Sequence, residues 1–209
     1  MYTLQVENKT VNIVDCWEEM SISQFIELGQ ILSADIPETY KTVNAISALS
    51  NVSVDDLENM RLSYFNTLKS QLEFLNTEIP KVKHKNKYVL NGRVYKLDAD
   101  LSAITTAQYM DYQTYIKENN PIKLVSLWLI PEGHQYNDGY SLEQVMLDIR
   151  DMSFLDVQAI AFFLQMQLAA YILILKDYSK KEMKKMKVKK KDIDKLQTHL
   201  NNMASFLLS

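Results

Sequence analysis

The sequence repeats itself. Residues 4–28 align on residues 88–112 without a gap, at a constant offset of 84. A strand-like run at 6–13 precedes 20–28, and a second at 90–97 precedes 104–112. Gln24 falls on Gln108, Phe25 on Tyr109, Ile26 on Met110 and Glu27 on Asp111. A repeat of this length constrains the fold strongly, because each copy is one supersecondary unit with its own apolar face to cover. It also bears on function: a doubled module suits a scaffold or binding surface, since a second copy rarely inherits a working catalytic site.

Local signals repeat with it. Residues 4–14 and 88–97 each read as a short β-hairpin, with Asn8-Lys9 and Asn91-Gly92 as the turns. Asn-Gly is the stronger signal, because a two-residue type I′ turn needs positive φ at both central positions. Ser21-Ile22-Ser23-Gln24 and Thr105-Thr106-Ala107-Gln108 both fit a capping box, in which the hydroxyl takes an orphan amide and the Gln reaches back. Phe25, Leu28, Ile31 and Leu32 then give an amphipathic stripe that Pro37 should end. Tyr109, Tyr112 and Ile116 repeat it, with Asn119-Asn120-Pro121 as the stop. Second helices are expected at 38–49 and 122–129, and capped short helices after Ser53 and Ser141. Last helices should begin at Ser63 and Ser153, where the offset has grown to 90. The extra residues fall in the loop 133–139, where His134 and Tyr136 are candidate contact residues.

The expected fold is therefore α+β and mostly helical, a tandem duplication of a hairpin-plus-helices unit. Residues 1–80 and 85–176 form the copies, and 177–209 form a lysine-rich C-terminal helical tail. Four Gly and four Pro leave little room for long coil linkers. The last helix of the second copy, 154–175, is apolar nearly all round and reads as buried in the domain or in an oligomer contact. Its greasiest part, 160–175, is short for a membrane span of about 20 residues, so no membrane role is expected. The first residues lack the basic-then-apolar pattern of a signal peptide.

Charge is divided. From Lys176 onward ten Lys face four acids, whereas the first 175 residues carry thirteen Lys plus Arg against twenty-two acids. The tail lysines Lys180, Lys181, Lys184, Lys185, Lys187, Lys189, Lys190 and Lys191 can form a solvated helix face, dock on an acidic neighbour or neutralise phosphates non-specifically. The tail has no Arg and almost no aromatic interleaving to stack bases, which weakens the nucleic-acid reading.

Signals for chemistry are sparse. His84, His134 and His199 are scattered, and the single cysteine, Cys16, excludes an internal disulfide framework. No phosphate-binding loop, nucleophile elbow or zinc-protease signature occurs. Glu18-Glu19 and Asp55-Asp56 stand where acids complement helix dipoles. No catalysis, cofactor or metal is expected.

The runs Ala45-Ile46-Ser47-Ala48-Leu49-Ser50-Asn51-Val52-Ser53-Val54-Asp55-Asp56-Leu57 and Glu58-Asn59-Met60-Arg61-Leu62-Ser63-Tyr64-Phe65 resemble tail-assembly-chaperone-like and related small structural proteins of tailed bacteriophages. Trp17-Glu18-Glu19-Met20-Ser21-Ile22 is similar to the lead-in of such proteins. The resemblance covers about 10–75 and, through the repeat, 88–175. It implies a non-enzymatic structural or assembly role in the virion, with assembly in the host cytoplasm. The duplication and tail depart from the simple chaperone pattern and suit a neck, ring or connector subunit at the head–tail junction. The implied partners are portal, neck or tail subunits and further copies in a homo-oligomeric ring, with non-specific DNA contact through the tail. A tail-assembly chaperone absent from the mature particle, and a nucleic-acid-binding regulator, are the alternatives.

Overall fold

Alternating short strands and capped helices fold as an α+β structure, 56% helical, with two small antiparallel sheets. A computed structural model describes residues 1–7, 9–118 and 120–185, together with 190, 194, 195, 197 and 198. Contacts divide the chain into two compact units that interleave along the sequence. The first holds Met1–Lys83, Val89–Arg93 and Ser141–Gln158; the second holds His84–Tyr88, Val94–Tyr140 and Ala159–Ser209. The spans 1–80 and 85–176 divide the sequence by repeat, whereas packing groups 141–158 with the first 83 residues.

In the first unit, β1 (Tyr2–Val6) pairs with β2 (Lys9–Ile13). The Val6–Lys9 pair closes the hairpin, so Lys9, expected in the turn, stands in β2. Glu7 takes φ +54° there, and Asn8 lies outside the described residues. A two-stranded ribbon is marginal alone. In this one Val11 and Ile13 are buried, and the unit continues through α1 (Ile22–Ser33), α2 (Glu38–Ala48), α3 (Val54–Glu58) and α4 (Leu62–Ser70). The Ser21 capping box is complete: Ser21 Oγ accepts from Gln24 N–H, and Ser21 N–H donates to Gln24 Oε1 at 3.0 Å. Helix α1 stops at Ser33, before Pro37. Ser53 caps α3, but Arg61 rather than Ser63 precedes α4, which runs on into a 3₁₀ turn at Gln71–Asn76. Trp17 stands edge-on to Phe74 at 5.3 Å, and Phe25 stacks on Phe154 at 3.8 Å. Beside them Ile22 N–H donates to Met152 C=O and Phe154 N–H to Met20 C=O, at 2.9 and 2.8 Å.

Further along, β3 (Lys87–Leu90) and β4 (Arg93–Leu97) form the second hairpin. Its turn has Asn91 at φ +48° and Gly92 at +75°, as a type I′ turn requires. In the second unit follow α5 (Thr106–Glu118), α6 (Pro121–Ser126) and β5 (Leu129–Pro131). The helix expected to reach 129 ends at Ser126, because Leu129 and Ile130 pair with Leu97 and Lys96 and complete a three-stranded sheet. Tyr95, Val125, Leu127, Trp128, Leu129 and Ile160 make a core that excludes solvent almost completely. The Thr105 box is half made: Thr105 Oγ1 accepts from Gln108 N–H, but the buried Gln108 side chain turns inward and donates to Leu127 C=O at 2.8 Å.

Ser141 caps α7 (Leu142–Arg150), and α8 (Phe154–Lys185) follows. Within the single chain α8 is covered only in part, and burial in an oligomer contact is not tested by it. Ile160, Leu164, Ala169 and Ile172 are buried, whereas Phe162, Met166, Ile174 and Tyr178 are exposed. A helix that is apolar all round carries no pattern to say which side the fold covers. By length and composition Phe154–Ile172 would suffice to cross a membrane, with 33% of it buried. Near the C-terminus, Gln197 Nε2 donates to Lys176 C=O at 2.9 Å, which brings residue 197 back against α8.

Candidate interaction surface

The polar groups most deeply held are anchors. In the first unit, Asp148 replaces an apolar residue on the inner stripe of α7 between Val145 and Ile149, and it is only 2% exposed. Its Oδ2 accepts from Arg93 at 2.8 Å, and its Oδ1 from Gln144 at 3.0 Å and Asn91 at 3.3 Å. Burying a carboxylate costs a great deal unless it is paired and hydrogen-bonded. Here Asn91 of the turn and Arg93 just after it pair it, and the hairpin tip is tied to α7. Sequence reasoning missed Asp148. The signal was available: an acid standing at i+3 on a stripe of Val and Ile.

A groove of about 630 Å³ runs between the β1–β2 hairpin and α3–α4, lined by Val11, Asn51, Met60, Arg61 and Tyr64 among others. Its rim charges are paired, Lys9 with Asp56 at 2.8 Å and Arg61 with Glu7 at 3.8 Å. The lysine, and after it the Ser53 hydroxyl, hold the Asp56 carboxyl below its ordinary range. Asp15, Cys16 and Glu19 bring possible metal-ligating atoms within 4.8 Å of one another. The Met1 amine already occupies the cluster, 2.9 Å from Asp15 and also on Glu19. Burial pushes the Cys16 thiol up, away from the reactive thiolate.

In the second unit the loop 133–139 is held from inside. Tyr136, expected as a contact residue, is half-buried and donates its hydroxyl to Asp111 Oδ2 on α5 at 2.5 Å. Burial, then the Asp111 carboxylate, raises the Tyr136 phenol far above its usual value. His134 is exposed, but its Nδ1 lies 2.8 Å from Asp138 C=O, so that nitrogen serves the loop. His84 stacks on Phe163 at 3.8 Å, and His199 lies outside the described residues. The histidines with described positions thus have separate surroundings.

Of the tail lysines, Lys180 and Lys190 are exposed, and Lys181, Lys184 and Lys185 continue the backbone of α8. Lys187, Lys189 and Lys191 lie outside the described residues. Lys180 and Lys190 are therefore available to a partner, and the structure does not bring the eight into one described site.

What remains open is apolar. Phe162, Met166, Ala170, Ile174 and Tyr178 recur every four residues on α8 and are all exposed. Such a series forms one ridge of a helix surface, the element that slots into the groove of a second helix. Among the described residues this ridge is the feature best suited to binding, and its chemistry is that of packing.

No protein-family model matches the sequence, and no curated protein or solved structure matches it either.

Proposed function

We propose that the chain is a non-enzymatic structural or assembly protein of a tailed bacteriophage, a neck, ring or connector subunit built from a duplicated module with a lysine-bearing C-terminal helix. The observation that carries the assembly role is the α8 ridge, where Phe162 and Ile174 are each 65% exposed. Large apolar side chains in a contiguous row mark a surface that is covered in the working state. The phage attribution rests on the sequence resemblance at 10–75 and 88–175.

Matching hydrogen bonds support the duplication. Val14 N–H donates to Leu49 C=O, and Asp98 N–H to Trp128 C=O. Gln24 Nε2 donates to Ala48 C=O, and Gln108 Nε2 to Leu127 C=O. In both comparisons the donors are 84 residues apart and the acceptors 79. Each copy thus closes its hairpin and first helix onto the end of its second helix through the same donor positions.

Mass spectrometry of purified particles tests the role. A structural subunit is expected at a fixed copy number in finished particles. The ridge also favours a second reading, a tail-assembly chaperone that covers an apolar client helix. That reading predicts the protein in assembly intermediates and not in finished particles. Absence from both would remove the phage role altogether.

A further inference from the structure

One joint in the first unit is made of two helix starts. Met20-Ser21-Ile22 leads into α1 and Met152-Ser153-Phe154 into α8, and the two segments lie antiparallel with Ser21 bridged to Ser153. Ile22 N–H donates to Met152 C=O at 2.9 Å and Phe154 N–H to Met20 C=O at 2.8 Å. Phe25 stacks on Phe154, and Met20, Ile22, Met152 and Phe154 are all buried. Each side of this joint has a counterpart elsewhere in the chain.

The counterpart of the α1 side is the start of α5, at the offset of 84. Phe25 N–H donates to Ser21 C=O and Tyr109 N–H to Thr105 C=O, both at 3.0 Å, so Ile104-Thr105-Thr106 stands where Met20-Ser21-Ile22 does. The counterpart of the α8 side is the start of α4. Met60 N–H donates to Leu57 C=O as Met152 N–H does to Ile149 C=O. Phe65 N–H donates to Arg61 C=O as Val157 N–H does to Ser153 C=O. These bonds set the offset there at 92 and place Met60-Arg61-Leu62 on Met152-Ser153-Phe154.

Both counterparts are open. Leu62 is 71% exposed where Phe154 is 5%. Tyr109 and Met110 are 53% and 63% exposed where Phe25 and Ile26 are half-buried. The backbone groups that match the bridge are open too. Among the described residues the N–H of Thr106 and of Leu62, and the C=O of Ile104 and of Met60, make no hydrogen bond. An array of repeats ends in a polar outer face. Here the two unmatched sides carry large apolar side chains instead.

We propose that the two open sides join between chains: the start of α5 of one copy receives the start of α4 of the next, in the register of the joint made inside the first unit. Thr106 N–H then donates to Met60 C=O and Leu62 N–H to Ile104 C=O, and Leu62 packs on Tyr109 as Phe154 does on Phe25. Charge agrees with this pairing. Arg61 is exposed and stands where the inner joint has Ser153. It comes to a segment, 98–105, whose charged residues are Asp98 and Asp100, both exposed. A contact between unlike surfaces of identical chains runs head to tail, and it closes as a ring or continues as a filament. The inference rests on the duplicated-module assembly reading and names the contact that would extend it from chain to chain. Its few large side chains fall short of the roughly 800 Å² per partner of a tight interface, so the contact should be micromolar rather than nanomolar.

Cross-linking of the full chain tests it, in a Cys16→Ser background with copper-phenanthroline as oxidant. At an antiparallel pair like Ser21–Ser153, flanked by the bridging bonds, the Cα atoms stand about 4.5 Å apart, a distance that a disulfide spans. Arg61→Cys mixed with Thr105→Cys is expected to give a covalent pair, and the double variant a ladder of larger multiples. Neither single variant should cross-link alone, because in a head-to-tail contact no residue meets its own copy. Leu62→Glu should weaken self-association on the order of 10-fold by putting a carboxylate into the joint. Its circular dichroism should not change, because an acid suits the first turn of a helix.

No cross-link in the mixture would overturn the proposal. A pair formed by Arg61→Cys or Thr105→Cys alone would overturn it too, since that requires a two-fold contact. So would a disulfide confined to one chain in the double variant, where the two sides close on each other. Failure of the assembly role itself reads differently: the mixed pair forms, yet the protein is found neither in particles nor in their intermediates.

Discussion

The two glutamines at the heads of α1 and α5 allow a quantitative test, because they make the same kind of bond in different surroundings. Gln108 is 5% exposed and donates to Leu127 C=O at 2.8 Å. Gln24 is half-buried, its bond to Ala48 C=O is long at 3.4 Å, and its Oε1 also caps Ser21 N–H. Replacing each by Leu keeps most of the volume and removes the donor. At 108 a buried carbonyl loses its partner, which costs on the order of 2 kcal/mol, about a 30-fold change in the unfolding equilibrium. At 24 water reaches the site and the bond is weak, so the loss is mostly that of half a capping box, about 0.5 kcal/mol. The chain holds two tryptophans, Trp17 in the first unit and Trp128 in the second, both buried. Urea unfolding followed by Trp17 in a Trp128→Phe background, and the reverse, therefore reads each unit separately. The expected result is a clear fall in midpoint for Gln108→Leu in the Trp128 signal and a small fall for Gln24→Leu in the Trp17 signal. Equal losses, or a larger loss at 24, would refute the reasoning from burial.

Other expectations follow from the same geometry. Asp148→Asn turns an acceptor toward the donors of Arg93, Asn91 and Gln144 into a donor, at a cost on the order of 1–3 kcal/mol in the Trp17 signal. Gly92→Ala meets open space but keeps φ near +75°, so it should cost about 1 kcal/mol from backbone conformation alone. Tyr136 has a phenol raised above the ordinary 10.0, so the folded state holds this proton more tightly than the unfolded chain. The resulting stability is present below pH 10.0 and lost as pH rises above it. Tyr136→Phe should remove that part of the alkaline sensitivity, followed by circular dichroism from neutral to high pH.

Much of this architecture was legible wherever a residue had one physical option. Asn91-Gly92 marks its hairpin because few other pairs take positive φ twice, and Ser21, Ser53 and Ser141 mark helix starts because orphan amides need an acceptor. The first turn was misplaced because Glu7, with no conformational signature, takes the positive φ. Strand β5 was hidden in an apolar run, 127–130, that reads equally well as the end of a helix. Side-chain direction was the least legible. Tyr136 points at Asp111, 25 residues away in sequence, and no local pattern encodes that meeting. The open side of α8 was hidden for the opposite reason, since every side of that helix is apolar.

The central claim is that the chain works by assembling, with copies of itself among its partners, and the mass of the intact chain in solution tests it most directly. Light scattering on the purified protein at tens of micromolar is expected to give a multiple of 24.3 kDa, reduced toward a single chain by Leu62→Glu. A mass of 24.3 kDa for the unsubstituted chain across that range would contradict the account.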